Sequence, residues 1–278
     1  MKLKHLMAGS AVVQLLSIAQ VSLLFAVYPT DLIGENALVL SLAGAWATVL
    51  PLRLEVALFV LPSYLRPALV IYGVIVSCVL SLISVICLIL TGVHQGISVA
   101  VLALCYALIA LLRNYSAGSF ATQVYRNSLI TQAVIPPCIL TFLLLTSVES
   151  LPDLTAIYVL AAAVDLAYLS LALQASFSFA SFRAVSEIRF RKLQNFWSWG
   201  LVSVLSSKVL YELPIWAISL IFGSSNTALY SAARQITAKP VAVLAKNYGI
   251  YILGKHATES RSRINVFGLA GVAAALVV

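Results

Sequence analysis

The chain has 278 residues, of which 62% are hydrophobic and 9% are charged, and its formal net charge is +8. A soluble domain carries roughly 25% charged residues and covers its surface with polar groups, which this composition does not allow. The composition therefore excludes an ordinary soluble protein and indicates a membrane protein. The positive charge does not indicate a nucleic-acid partner, because Lys and Arg stand in short clusters between apolar segments, a pattern typical of membrane proteins.

Most of the apolar segments are long enough to cross a hydrocarbon core of about 30 Å as helices of about 20 residues. They are too long and too uniformly apolar for the strands of a membrane β-barrel, which alternate over about 10 residues. We therefore predict an all-α polytopic bundle with eight complete helices and a partial ninth. In chain order the predicted segments are 6–28, 37–62, 68–91, 97–123, 128–148, 153–176, 198–222, 226–253 and a last one from about 264.

The charges between these segments predict an orientation. If the N-terminus is cytoplasmic, the outer connections contain Asp31, Glu35 and Glu149 but no Lys or Arg. Positive charge collects on the cytoplasmic side of membrane proteins, so we predict a cytoplasmic N-terminus. The inner side is then assigned twelve basic residues, which are Lys2, Lys4, Arg66, Arg113, Arg126, Arg183, Arg189, Arg191, Lys192, Lys255, Arg261 and Arg263.

The longest connection, 177–195, is basic and is predicted to be cytoplasmic. We expect a linker, 179–196, between an N-terminal half of six helices, 1–178, and the start of a second related half, 197–278. The last apolar segment has about 15 residues, which make about 22 Å of helix, and this is too short to cross the core. We therefore expect a fragment of a longer transporter, with roughly four further apolar segments encoded beyond it.

Eight charged residues remain inside the predicted helices. Placing an Arg, Lys or Asp at the centre of a membrane helix costs roughly 2.5–3.5 kcal/mol. We therefore expect these side chains to face a partner, the interior of the bundle or a watered cavity. They are Arg53, Glu55, Asp165, Lys208, Glu212, Arg234, Lys239 and Lys246.

Several of these charges have a structural explanation beside a functional one. Lys208 and Glu212 are four positions apart and share one helix face, either as a neutralising pair or as part of a site. Asp165 is predicted near mid-membrane, as a proton or cation coupling site or as a structural partner. Lys246 is near enough to the end of its segment to extend to the membrane surface.

The remaining charges lie on two other segments. Arg53 and Glu55 are two positions apart, so we expect them to point in different directions on one helix and not to form a simple pair. Extension to the surface or a bond to a neighbouring helix is the structural alternative for both. Arg234 and Lys239 are deeper in their segment, and we favour a cavity for them.

The sequence contains none of the HExxH, GxSxG or phosphate-loop motifs that would indicate a hydrolase or an ATPase. The four cysteines have neither disulfide nor metal spacing. We therefore predict a transporter and not an enzyme, with no catalytic residue, no metal and no other cofactor.

Two stretches resemble a known family. The connection Tyr28–Ala37, followed by Leu50–Pro62, resembles the first hairpin of the bacterial O-antigen and exopolysaccharide flippases, which belong to the multidrug/oligosaccharidyl-lipid/polysaccharide superfamily. In that family the helix ends in a pattern L-R-x-E-x-A followed by a proline, which is matched here by Arg53, Glu55, Ala57 and Pro62. The outer connection is slightly shorter than usual. The stretch from Leu213 to Pro240 resembles the seventh and eighth helices of the same family.

The resemblance implies a flippase of the bacterial cytoplasmic membrane, with two six-helix halves and alternating access coupled to a proton or sodium gradient. Its substrate would be an oligosaccharide linked to undecaprenyl pyrophosphate, and its partners would be membrane lipids, a polysaccharide polymerase and glycosyltransferases. On this basis we expect substrate contacts from Arg53, Lys208, Arg234 and Lys239. We expect ion coupling or structural pairing from Glu55, Asp165 and Glu212.

Two other functions remain open. One is a multidrug or cation-coupled exporter of the same superfamily, although the basic excess among the embedded charges argues against a site for cationic drugs. The other is a membrane-embedded glycan polymerase or ligase.

Overall fold

The computed structural model describes residues 3–60, 63–91, 95–119, 121–146, 153–177, 200–238 and 241. Across these ranges the protein is an all-α bundle, and none of these residues forms a strand. The predicted fold class is therefore confirmed. The predicted linker 179–196, the candidate residues Lys239 and Lys246, and the last apolar segment lie outside the described residues.

Nine helices are seen in the described ranges. They are α1 Leu3–Val27, α2 Thr30–Val49, α3 Leu54–Val60, α4 Arg66–Leu90, α5 Gln95–Gly118, α6 Thr122–Thr146, α7 Leu154–Leu173, α8 Leu201–Phe222 and α9 over 224–238. Six of them, α2 and α4 to α8, are long and apolar enough to cross a membrane. The chain is therefore a multi-pass membrane protein.

The second predicted helix, 37–62, is not continuous. The helix α2 begins earlier than predicted, at Thr30, and it ends at Val49, after which the chain turns before α3. Pro51 cannot donate a backbone hydrogen bond inside a helix and its ring crowds the preceding turn. Leu52 and Arg53 follow with φ of 48° and 62°, a left-handed conformation that stops a right-handed helix. The prediction of one helix over this segment is therefore wrong.

The helix α5 lies at the centre of the described bundle, in contact with α2, α3, α4, α6 and α7. Its inward face is formed by small and branched side chains, including the fully buried Leu102, Ala103, Ala107 and Leu111. Two further pairs extend the bundle, since α1 packs against α6 and α8 packs against α2. This arrangement brings α8, which is late in the chain, beside α2.

A close contact joins the start of α2 to the turn between α8 and α9. Gly223 forms this turn with φ of 82°, and the Asp31 carboxylate accepts hydrogen bonds from the hydroxyls of Ser224 and Ser225. A Cβ atom on Gly34 would stand 1.8 Å from the carbonyl oxygen of Ser224. Only glycine fits at position 34, and the resulting backbone approach holds α9 against α2.

Candidate functional site

A cavity of about 540 Å³ lies between α1, α2 and α6 on one side and α8 and α9 on the other, with α5 and α7 closing it. Most of its lining residues lie near the middle of their helices. The residues that bear on its chemistry are Ser41, Gln132, Lys208, Tyr211, Glu212 and Arg234. Three of the charges predicted from the sequence, Lys208, Glu212 and Arg234, therefore face one half-open cavity.

Glu212 is the centre of the charged network in this cavity. Its Oε1 lies 2.8 Å from Lys208 Nζ, and its Oε2 lies 2.8 Å from Arg234 Nη1. Ser41 Oγ donates a further hydrogen bond of 2.9 Å to Oε2. Glu212 is 6% exposed, so three donors from α2, α8 and α9 compensate for its burial. The network carries two positive charges and one negative charge.

The aromatic ring of Tyr211 contacts both cations of this network. The Arg234 guanidinium carbon lies 3.6 Å from the centroid of the Tyr211 ring, and Lys208 Nζ lies 5.5 Å from it. A cation is attracted to the face of an aromatic ring within about 6 Å. The ring therefore stabilises positive charge inside the cavity.

The hydroxyl of Ser41 links the network to a tryptophan. Trp216 Nε1 donates a hydrogen bond of 2.9 Å to Ser41 Oγ, which in turn donates to Glu212. The sequence analysis missed Ser41, Tyr211 and Trp216. The spacing on α8 contains a signal for two of them, because positions three and four apart share a helix face with Lys208 and Glu212. No local signal identifies Ser41, which lies on another helix.

A second charged cluster joins α5, α6 and α7. Arg113 Nη2 lies 2.7 Å from Asp165 Oδ2, and Asp165 is fully buried. Arg113 also donates to the hydroxyl of Ser128 at 2.7 Å and to Gln132 Oε1 at 2.8 Å. The sequence analysis assigns Arg113 to the cytoplasmic side. In the structure it lies within α5, which continues to Gly118, and its guanidinium contacts side chains of α6 and α7. Asp165 thus has a structural partner, and Gln132 connects its cluster to the cavity wall.

Arg53 and Glu55 lie elsewhere. Arg53 Nη1 and Glu55 Oε1 are 3.4 Å apart, so the prediction that these residues do not pair is wrong. The reason is the left-handed turn before α3, which places Arg53 outside any helix, so helical spacing does not apply to it. Neither residue is part of the cavity wall. Arg53 instead lies beside the start of α8, where a Cβ on Gly200 would stand 3.9 Å from its Cγ.

The described residues include no group of three or more His, Cys, Asp or Glu side chains placed to hold a metal ion. The four cysteines are free thiols. Comparisons of the chain with protein-family models, with curated proteins and with solved structures found no match.

Proposed function

We propose that this chain is a flippase that moves diphosphate-linked lipid oligosaccharides from the inner to the outer leaflet of the bacterial cytoplasmic membrane by alternating access. The observation that supports this function is the half-open cavity between the helices, in which Lys208 and Arg234 outnumber Glu212. The residue-level resemblance of Arg53, Glu55 and Ala57 to the flippase pattern points in the same direction.

The charge of the cavity fits the chemical problem that a flippase solves. A diphosphate headgroup cannot cross a hydrocarbon core unaided, because transferring a charge out of water is costly. Fixed cations inside the bundle replace part of its hydration, and they attract it more strongly there than in water because the local dielectric constant is low. Charged residues inside membrane helices are rare, and they commonly mark the path of a substrate or an ion.

The cavity favours this function over a multidrug exporter. A site for cationic drugs needs an excess of carboxylates, whereas the two cations here exceed the single carboxylate that pairs with both. The Tyr211 ring would stack on a cationic drug, but its face is already occupied by Arg234. An anionic ligand is therefore the better match.

A deletion strain tests the function. Cells without the gene should lose surface polysaccharide and accumulate lipid-linked repeat units on the cytoplasmic face of the membrane. The intact wild-type gene should restore export, and the R234A gene should not. The R126A gene should restore it, because this substitution removes the same charge at a position on α6 that does not line the cavity.

Two results would contradict the proposal. Unchanged surface polysaccharide in the deletion strain would exclude a role in glycan export. Accumulation of repeat units on the outer face would instead indicate a polymerase or ligase, which acts after translocation.

A further inference from the structure

The Glu212 carboxylate is bound as a ligand would be. Both of its oxygens accept from cationic or hydroxyl donors at 2.8–2.9 Å, and these donors come from α2, α8 and α9. Hydrogen bonds between ionised partners are the strong ones, and phosphate oxygens accept them from the same donors as a carboxylate does. The arrangement is that of an anion site whose occupant belongs to the protein.

We infer that Glu212 is a built-in counter-ion that the anionic group of the substrate displaces from Lys208 and Arg234. The inference rests on the proposed function for the identity of that anion, a diphosphate. Glu212 lines the cavity together with both cations, so an anion that enters the cavity reaches them directly. An Arg has five N–H donors and a Lys has three, so both can change acceptors without losing hydrogen bonds.

Displacement has a clear physical role. In an empty cavity, two cations without a counter-ion would be costly in a low dielectric, and Glu212 offsets part of that cost. A diphosphate carries more negative charge than one carboxylate and can compete for the same donors. The competition also weakens net binding, and a transported substrate must bind favourably enough to enter and weakly enough to leave.

The exchange would also remove a hydrogen bond between two helices. Ser41 on α2 donates to Glu212 on α8, so departure of the carboxylate removes an acceptor that links these helices. Trp216 donates to the same hydroxyl at 2.9 Å, and its indole is therefore a local reporter of the exchange.

The inference is tested by diphosphate binding to the full chain in nanodiscs of phosphatidylcholine, a lipid without net charge. Trp216 fluorescence is the signal, after replacement of Trp46, Trp197 and Trp199 by Phe. Inorganic pyrophosphate and farnesyl diphosphate are the two probes, so that binding of the diphosphate alone is separated from binding of the lipid chain.

E212Q removes the internal carboxylate charge and should bind both probes about tenfold more tightly than wild type, a typical size for coupling between ligands. E35Q is the matched control, because it removes the same charge from an exposed position on α2, and it should bind like wild type. S41A removes one donor from Glu212 without a change in charge, and it should also tighten binding. Its binding is read by isothermal titration calorimetry, because Trp216 loses its hydroxyl partner in this variant.

Unchanged or weaker binding by folded E212Q and S41A would overturn the inference, and S41A decides the matter if E212Q does not fold. A gain confined to farnesyl diphosphate would also overturn it, because the effect would then belong to the lipid chain. The proposed function fails separately: tighter binding by E212Q with normal glycan export in the deletion strain would retain the counter-ion and reject the flippase. If glycan export requires the chain but Glu212 has no effect on binding, the flippase is retained and the counter-ion is rejected.

Discussion

The guanidinium of Arg113 and the carboxylate of Asp165 meet at 2.7 Å and tie α5 to α7 in the interior of the bundle. The two residues are 52 positions apart, and Asp165 is fully buried. Such a pair is either a structural clamp or a site at which a coupling proton binds, and mutation separates the two roles.

Breaking this pair should destabilise the protein, because it leaves one uncompensated charge in a low dielectric. We expect R113A and D165A each to lower the free energy of unfolding by about 3–5 kcal/mol. The double variant R113M/D165L removes both charges and should recover most of that loss. The detergent-solubilised proteins are heated, and loss of the monodisperse chromatographic peak reports unfolding. The unfolding temperatures then rank the stability of the wild type and the variants.

Transport by the double variant then assigns the role of Asp165. A stable R113M/D165L protein that exports glycan normally indicates a structural clamp. A stable protein without export indicates coupling. Single variants as stable as wild type would contradict the buried pair itself.

Charge at position 234 should control glycan export. R234A removes a cation from the cavity and leaves Glu212 with Lys208 alone, and R234E adds a second carboxylate that repels both Glu212 and an anionic substrate. We expect surface polysaccharide per cell, corrected for protein level, to fall in the order wild type, R234A, R234E. K246A should export more than R234A if Lys246 only extends to the membrane surface. Near-normal export by R234A and R234E would exclude Arg234 from the site.

Position 34 should not tolerate a side chain. In G34A the new Cβ would stand 1.8 Å from the Ser224 carbonyl oxygen, so α2 must move away from the α8–α9 turn. We expect a loss of about 1–3 kcal/mol of stability, typical of overpacking. G44A is the control on the same helix, because its Cβ would lie at an ordinary distance of 3.8 Å from Lys208 Nζ. Equal unfolding temperatures for G34A and G44A would refute the close approach.

The orientation of the chain can be tested by reporter fusions. The distribution of Lys and Arg predicts that the connections after α1, α4, α6 and α8 face outward. Reporters should be active on the outer side after His94, Glu149 and Ser224, and on the inner side after Arg66, Arg126 and Arg189. An outer signal after Arg189 would contradict the helix count between the N-terminus and that residue.

The sequence by itself determined that this is a multi-pass helical membrane protein. Hydrophobicity sustained over about 20 residues is a local property, and each such segment must satisfy its backbone hydrogen bonds internally in lipid. The predicted segment 68–91 therefore corresponds closely to α4, Arg66–Leu90. The contact between Lys208 and Glu212 could also be predicted from the sequence, because the geometry of a single helix brings together residues four positions apart.

Only the tertiary structure decided which charges share a site. Ser41 and Glu212 are 171 positions apart, and their hydrogen bond depends on the packing of α8 against α2, which no periodicity in either helix specifies. Arg53 and Glu55 were not expected to pair, and they do so because Arg53 lies in a left-handed turn and not in a helix. Hydrophobic segments determine which residues enter the membrane, whereas side-chain packing between helices determines which of them meet.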